Sequence, residues 1–574
     1  MIRFFLSAAF LAGCAAPQSD AQVAADPAPA ETMADGGMVA AANPHAVEAG
    51  LEILRAGGGA ADAAVAVQAA LGLVEPQSSG IGGGGFLVYF DAATQDVTVY
   101  DGRERAPAAA TERLFYGEDG ELMGFVEAWM SGRAPGVPGA VDALRLAQAD
   151  HGRLEWSALF DYSVKLAETG FEVSPRLNNL LVRLGEFGPL DERPGTATYF
   201  YDARGEARPV GYVLKNPDYA WTLRSIADNP RALLDSDIAG DIVTAARGAP
   251  HGSLLTVEDL NAYEAQKEDA VCRPYRVWLV CSAPPPSSGG VAINSALEIL
   301  ENSPIRENGP DTAAGWHYLI EAMRLAYADR DRYVADPEYA DVPVDALLDE
   351  AYLARRAALV SADAAIKGME AGDPFAGSET YGEDTTEPAP GTSHFVIVDG
   401  AGNVVSMTTT VESAFGSHIF TNGFLLNNQL TDFAREAYDE EGRLLANAPA
   451  GGKRPRSSMS PVIVLDRETG EFVLAAGSPG GNSIIAYVLK TVVGVLDWGL
   501  TPQQAAELPN VIARGETVRI DEGFSPEIAE ALRAMGHQVA EPEGEISGIH
   551  AVMKTDDGLI GAADPRREGQ ARTP

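Results

Sequence analysis

The chain is predicted to be an α/β protein, in the α+β sense, on three observations. The runs Phe395-Val396-Ile397-Val398 and Val404-Val405-Ser406-Met407-Thr408-Thr409-Thr410 flank the turn sequence Asp399-Gly400-Ala401-Gly402-Asn403. Both runs are rich in β-branched or aromatic residues with apolar side chains on both faces, the pattern of a hairpin of buried strands. Residues 44–72 and 483–497 carry Ala, Val and Leu at helical spacing. The third observation is the junction at Gly477-Ser478-Pro479-Gly480-Gly481, where a strand over 472–476 passes through glycines into the second of those helices.

Taken in order, residues 1–13 have the form of an export signal, with Arg3 ahead of the apolar stretch Phe4 to Leu11. Leu11-Ala12-Gly13-Cys14 resembles a bacterial lipobox, so Cys14 is expected to become a lipidated N-terminus; the alternative is an ordinary exported protein with an incidental cysteine. Residues 14–37 are rich in Ala, Pro, Gln, Ser and Asp and read as a flexible tether. In the helix over 44–72, Asn43 is the expected N-cap and Pro44 takes the first helical position, where its missing N–H costs nothing. Gly57-Gly58-Gly59 interrupts its pattern. The glycines at 82–85 enter a buried strand, Phe86-Leu87-Val88-Tyr89-Phe90, with no GK[ST] and no helix after them, so they read as close backbone packing rather than a phosphate loop. Residues 155–330 are mostly helical in pattern, with Thr256 and Asp259 spaced as a helix cap. Beyond the hairpin, 423–429 reads as a short strand leading to Asp432, and 433–452 as a polar, turn-rich loop over a site. Strands follow at 462–465 and 472–476, then the helix at 483–497 and a capping box at Thr501-Pro502-Gln503-Gln504.

Composition excludes several classes. Lys plus Arg total 42 against 82 Asp plus Glu, a formal charge of −40, which repels nucleic acid and anionic membranes, and no basic patch offsets it. No run of about 18 apolar residues suggests a transmembrane helix beyond the signal. No Cys/His spacing suits zinc, so no metal and no cofactor are expected. In a single extended strand Cys272 and Cys281 would lie roughly 30 Å apart, beyond bridging, although a hairpin turning near Pro274 would bring them closer. They are expected to be unpaired, with a disulfide left open.

Ten blocks, in this order, resemble the gamma-glutamyltransferases (gamma-glutamyltranspeptidases), a family of N-terminal-nucleophile hydrolases. They are GLEILRAGGGAADAAVAVQAALGLVEPQSSGIGGGGF (50–86), DGRERAPAAAT (101–111), APGVPGAV (134–141), LTVEDLNAY (255–263), APPPSSGGVAI (283–293), EAMRLAYADRDRYVADP (321–337), the stretch from Gly391 to Asp432, KRPRSSMSP (453–461), GSPGG (477–481) and GAADPRREG (561–569). The resemblance implies a four-layer αββα sandwich that cuts itself between Gly391 and Thr392, giving two interdigitated subunits, 38–391 and the small catalytic 392–574. It also implies that Thr392 becomes an N-terminal residue, whose α-amine (ordinary pKa about 7.7–8.0) serves as base for its own hydroxyl.

Site roles carry over residue by residue. Thr410 matches the second threonine that positions the nucleophile. Gly480 and Gly481 match the paired glycines of an oxyanion hole, where a helix N-terminus favours negative charge. Arg103 would take the α-carboxylate of a γ-glutamyl group with its planar fork, assisted by Ser457 and Ser458, while Gln429 and Asp432 hold the α-ammonium. Glu412 stands where many relatives have Asn. Its carboxylate would either pair with the ammonium or repel the α-carboxylate. His394, next but one to Thr392, is read as structural.

The activity implied is a γ-glutamyl hydrolase or transferase acting on glutathione and related donors through a γ-glutamyl ester of Thr392, with water or an amino acid or peptide amine as acceptor. Its expected place is the periplasm, on the membrane only through the lipid. The alternatives are a related N-terminal-threonine acylase for glutaryl or β-lactam side chains, and an uncut lipoprotein that only binds γ-glutamyl compounds.

Overall fold

The computed structural model describes residues 36–185, 190–375, 381–386, 391–542 and 547–574. The signal, Cys14 and nearly all of the tether lie outside the described residues. Among those described, no helix is long and apolar enough to cross a membrane.

The elements that place the site are, in chain order, β1 (Met38–Ala41), α1 (Pro44–Arg55), α2 (Ala60–Val74), β2 (Gly84–Phe90), β3 (Val97–Asp101), α3 (Ala140–His151), β4 (Gln266–Asp269), β5 (Val271–Tyr275), β6 (Trp278–Ser282), α4 (Gly289–Leu300) and α5 (Ala313–Tyr333). Then come β7 (Ser393–Val398), β8 (Val404–Thr410), β9 (Val462–Asp466), β10 (Phe472–Gly477), α6 (Ile484–Leu496), β11 (His550–Thr555), β12 (Gly558–Ala563) and β13 (Gln570–Arg572). One sheet runs β13-β1-β7-β8-β2-β3-β4 and the other β12-β11-β10-β9-β6-β5. The sheets pack face to face, with α1, α2 and α3 outside the first and α4 and α6 outside the second, which gives the four layers.

The strand period of two explains why the hairpin is apolar on both faces. Phe86, Val88, Val396 and Val398 turn inward to a buried cluster that includes Val464 and Leu474 of the second sheet. Their neighbours Leu87, Tyr89, Phe395 and Ile397 turn outward to the helices. Neither face meets water, so neither needs polar residues.

Several local readings hold. Asn43 caps α1 by accepting from the His45 N–H at 2.9 Å, Pro44 opens the helix, and capping boxes form at Thr256 and Thr501. A Cβ on Gly82 would lie 2.2 Å from the Leu425 carbonyl oxygen and one on Gly83 1.9 Å from that of Thr410, so these glycines permit close backbone approach.

Others are corrected. The helix over 44–72 is two helices broken at Gly57-Gly58-Gly59. The region read as helical up to 330 contains β4 to β6, and Cys272 and Cys281 form a disulfide with Cα atoms 4.0 Å apart. The hairpin turns at Arg276 and Val277, with Tyr275 opposite Trp278 and Cys272 opposite Cys281. A turn centred near Pro274 misplaces that register.

Candidate active site

Thr392 sits one residue before β7 with φ 86°, a left-handed backbone that costs a β-branched residue about 1–3 kcal/mol. Gly391 admits no side chain, because a Cβ there would meet the Glu412 carbonyl oxygen at 1.6 Å. The Thr392 N–H donates to the Ser78 carbonyl at 3.0 Å, and its own carbonyl accepts from Arg567 Nη1 at 3.0 Å. Its hydroxyl donates to Thr410 Oγ1 at 2.9 Å, which also accepts the Glu412 N–H at 2.7 Å. The expected pair of threonines is therefore in contact, its orientation set by adjacent strands.

A cavity of about 20 Å³ is lined by Thr392, Thr410, Glu412, Gln429, Asp432, Ser457, Ser458 and Gly481, together with Arg456, Met459 and Ile484. In the uncut chain this is room for about one water molecule. Glu412, Gln429 and Asp432 each keep one buried side-chain oxygen (Oε1, Oε1 and Oδ1) without a hydrogen-bond partner. Their remaining atoms are engaged: Gln429 Nε2 donates to Asp432 Oδ2 at 2.7 Å, and Asn428 Nδ2 donates to Glu412 Oε2 at 2.5 Å, where the Ser413 hydroxyl also donates. Burial first, and the Asp432 charge second, hold the Glu412 carboxyl well above the usual carboxylate range. Such oxygens suit a cationic guest with several N–H donors.

Arg103 does not line this cavity. It lies behind Asp432, fully buried, with Nη2 donating to Asp432 Oδ2 at 2.5 Å and to the Arg456 carbonyl at 2.8 Å, and Nε to the Pro455 carbonyl at 2.9 Å. Nη1 points toward Glu104 Oε2 at 3.6 Å, and burial pushes the Glu104 carboxyl up to about 8. Gly480 is one residue back from the lining Gly481. Both have positive φ, 136° and 56°, and a Cβ on Gly480 would lie 2.5 Å from the Tyr487 ring. The turn enters α6 as the glycine junction leads one to expect. His394 faces the second sheet, and its Nδ1 shares a hydrogen bond with Thr408 Oγ1 at 2.9 Å. Burial drives its basicity well below that of free imidazole, in keeping with a structural residue.

Several contributors carry no sequence signal of their own beyond lying in or beside the quoted blocks: Ser78, Arg330, Asn482 and Arg567. Asn447, in the loop over 433–452, donates to the Asp432 carbonyl at 2.7 Å and to Asp384 Oδ2 at 3.0 Å, fastening that loop beside the site.

Among the described residues, His317, Glu321 and His537 offer ligand atoms within 4.8 Å of one another. A hydrogen bond joins the two histidines: His317 binds the Ser361 carbonyl and His537 Nε2, both at 2.7 Å. Glu321 accepts from Arg324 at 2.9 Å and from the Ile366 N–H at 3.2 Å. With the Arg324 guanidinium bonded to its one carboxylate, and His537 Nδ1 left 3.6 Å from Glu321 Oε1, the group does not read as a cation site.

The family model described as Gamma-glutamyltranspeptidase matches residues 46–573. The "Glutathione hydrolase proenzyme" of Bacillus subtilis (strain 168) is 35% identical over 547 residues, covering 93% of this chain and 91% of the relative. The protein of that name from Escherichia coli (strain K12) is also 35% identical, over 92% of this chain and 90% of its own length. Among solved structures, cephalosporin acylase from Bacillus halodurans superposes with a TM-score of 0.82 at 27% identity, covering 97% of this chain and 99% of its own.

Proposed function

The chain belongs to the gamma-glutamyltranspeptidase family, and from that premise we propose that it hydrolyses or transfers the γ-glutamyl group of glutathione-like donors at Thr392. It is an enzyme of the hydrolase and transferase type found among its relatives. The observation that carries the choice of donor is the trio of unpartnered oxygens on Glu412, Gln429 and Asp432. An α-ammonium brings three N–H donors, whereas a glutaryl side chain has the same free carboxylate without the ammonium and would leave all three unsatisfied. This favours the first account of Glu412, pairing with the ammonium, over repulsion of the carboxylate.

The proposed cycle starts with the precursor. Thr392 Oγ attacks the Gly391 carbonyl, the peptide nitrogen leaves as the Thr392 amine, and water hydrolyses the ester, giving subunits 38–391 and 392–574. The hydrogen bond to the Ser78 carbonyl, made now by the peptide N–H, offers the new amine a fixed acceptor. The amine then takes the hydroxyl proton as Thr392 attacks the γ-carbonyl of the donor. The N–H groups of the Gly480-Gly481 turn face the developing oxyanion. The proton passes to the leaving amine, and water or an amino acceptor resolves the ester.

Two substrates separate this from acylase chemistry. γ-Glutamyl-p-nitroanilide is expected to be turned over with kcat/KM at least a hundredfold above glutaryl-p-nitroanilide, the size of a buried polar site left unpaired. Equal rates would point to the acylase, which the cephalosporin acylase likeness keeps as the second reading.

Export and lipidation at Cys14 complete the proposal, on the strength of the Leu11-Ala12-Gly13-Cys14 pattern. Cys14→Ser is expected to move the protein from the membrane fraction to the soluble fraction. Unchanged partitioning removes the anchor.

A further inference from the structure

Arg330, on the last turn of α5, is buried and joins the halves of the site. Its Nη2 donates to Ser458 Oγ at 2.6 Å and to Asn482 Oδ1 at 3.1 Å. Its Nε donates to Ser288 Oγ at 3.0 Å, and the Ser288 hydroxyl and N–H both bind the Ser457 carbonyl, at 2.6 and 2.7 Å. One guanidinium thus holds Ser458 directly, Ser457 through Ser288, and the residue that follows the glycine pair. One turn earlier on the same helix, the Tyr327 hydroxyl donates to the Asn482 carbonyl at 2.6 Å, so the Gly481-Asn482 turn is clamped twice by α5.

Every nitrogen of this guanidinium is hydrogen-bonded, but its ion pair is shared. Its Nη1 binds Asp331 at 2.5 Å, but Asp331 also serves Arg514 at 2.8 Å and Arg456 at 3.8 Å, so Arg330 has no carboxylate to itself. Arg103 is engaged by Asp432 and two backbone carbonyls through Nη2 and Nε and stands outside the cavity, with only its Nη1 left without a hydrogen-bond partner. Ser458 does line the cavity, and its hydroxyl donates to Asn482 Oδ1 at 3.0 Å.

We propose that Arg330 is the positioning residue through which the enzyme reads the α-carboxylate of its donor: it polarises the Ser458 hydroxyl, which turns from Asn482 to donate to that carboxylate. The inference rests on the γ-glutamyl reading and deepens it. A hydroxyl that accepts from a guanidinium is a stronger donor on its other side. The same contact ties carboxylate binding to the Asn482 end of the oxyanion turn, so a donor lacking the carboxylate loses this hold. Burial, then the nearby Arg456, lowers Arg330 only to about 10, which leaves it charged at neutral pH.

The test compares γ-glutamyl-p-nitroanilide with 4-aminobutyryl-p-nitroanilide, which keeps the ammonium and the acyl chain but lacks the α-carboxylate. Arg330→Gln is expected to lower kcat/KM for the γ-glutamyl substrate about ten- to a hundredfold, mostly through KM, the range of a hydrogen bond to a charged group. It should lower that for the 4-aminobutyryl substrate by a several-fold smaller factor, the shared part being the loosened Gly481-Asn482 turn. In a Ser458→Ala background most of the Arg330→Gln penalty should vanish. Arg330→Lys, which keeps the charge but not the fork, should fall between. Equal losses on both substrates, no loss, or failure of both variants to mature would overturn the proposal and leave Arg330 a structural residue. A wild-type enzyme that ignores the γ-glutamyl substrate would instead sink the donor assignment, and this inference with it.

Discussion

Thr392→Ala is expected to leave the purified protein as one uncut chain with no measurable turnover, at least about 10⁴-fold below wild type. The substitution removes the atom proposed to cut the chain and to carry the acyl group, so two losses have one cause. The backbone supports this assignment independently of any relative. A threonine held at φ 86°, behind a glycine that admits no side chain, is a strained residue beside a hydroxyl already bonded to Thr410 at 2.9 Å. The proposed scission would free that backbone. Intact mass checks the outcome: wild type should give two fragments, one beginning at Thr392, and Thr392→Ser should also be cut. Cleavage of the alanine variant at the same bond would assign the cut to an outside protease.

Asp432→Asn is expected to lower kcat/KM for γ-glutamyl-p-nitroanilide by about 10²–10³, because losing one partner of a buried, hydrogen-bonded charge pair costs about 2–5 kcal/mol of binding. Asp432 Oδ2 holds Arg103 at 2.5 Å and Gln429 at 2.7 Å, and Oδ1 is one of the three unsatisfied oxygens. The amide would strip Arg103 of its close carboxylate, leaving Glu104 at 3.6 Å, and would turn an acceptor for the ammonium into a group with one weak oxygen. Loss of Tm alongside loss of activity is therefore expected. A variant within tenfold of wild type on both scores would place the ammonium elsewhere, on Glu412 and Gln429 alone.

The hairpin over β7 and β8, the capped helices and the strand–glycine–helix junction were legible because each is local: period, cap and turn lie within a few residues. The close threonine pair was expected only from the family resemblance; the hairpin register that sets Thr409 opposite Ser393 is what brings Thr410 to Thr392. The β4 strand was missed because Gln266–Asp269 is a polar edge strand with no buried face to imprint a pattern. The disulfide was missed by misplacing one turn. Arg330 could not be found by spacing at all: its contacts to Ser288, Ser458 and Asn482 cross 42, 128 and 152 positions. The seat of Arg103 behind Asp432, rather than in the cavity, is likewise a matter of packing between β3 and the loop that carries Pro455 and Arg456.

The two sheets draw strands from both sides of residue 392: β1 lies between β13 and β7, and β9 pairs with β6. Were the bond before Thr392 cut, neither piece could leave without tearing open both sheets and exposing the core between them. Separation of the mature fragments is then the same event as unfolding. The assembly should resist dilution as a single chain does, yet once denatured it would have to find its partner by collision, with a yield that falls with concentration. An enzyme built this way is assembled once, as a precursor, and is not made to be taken apart and rebuilt.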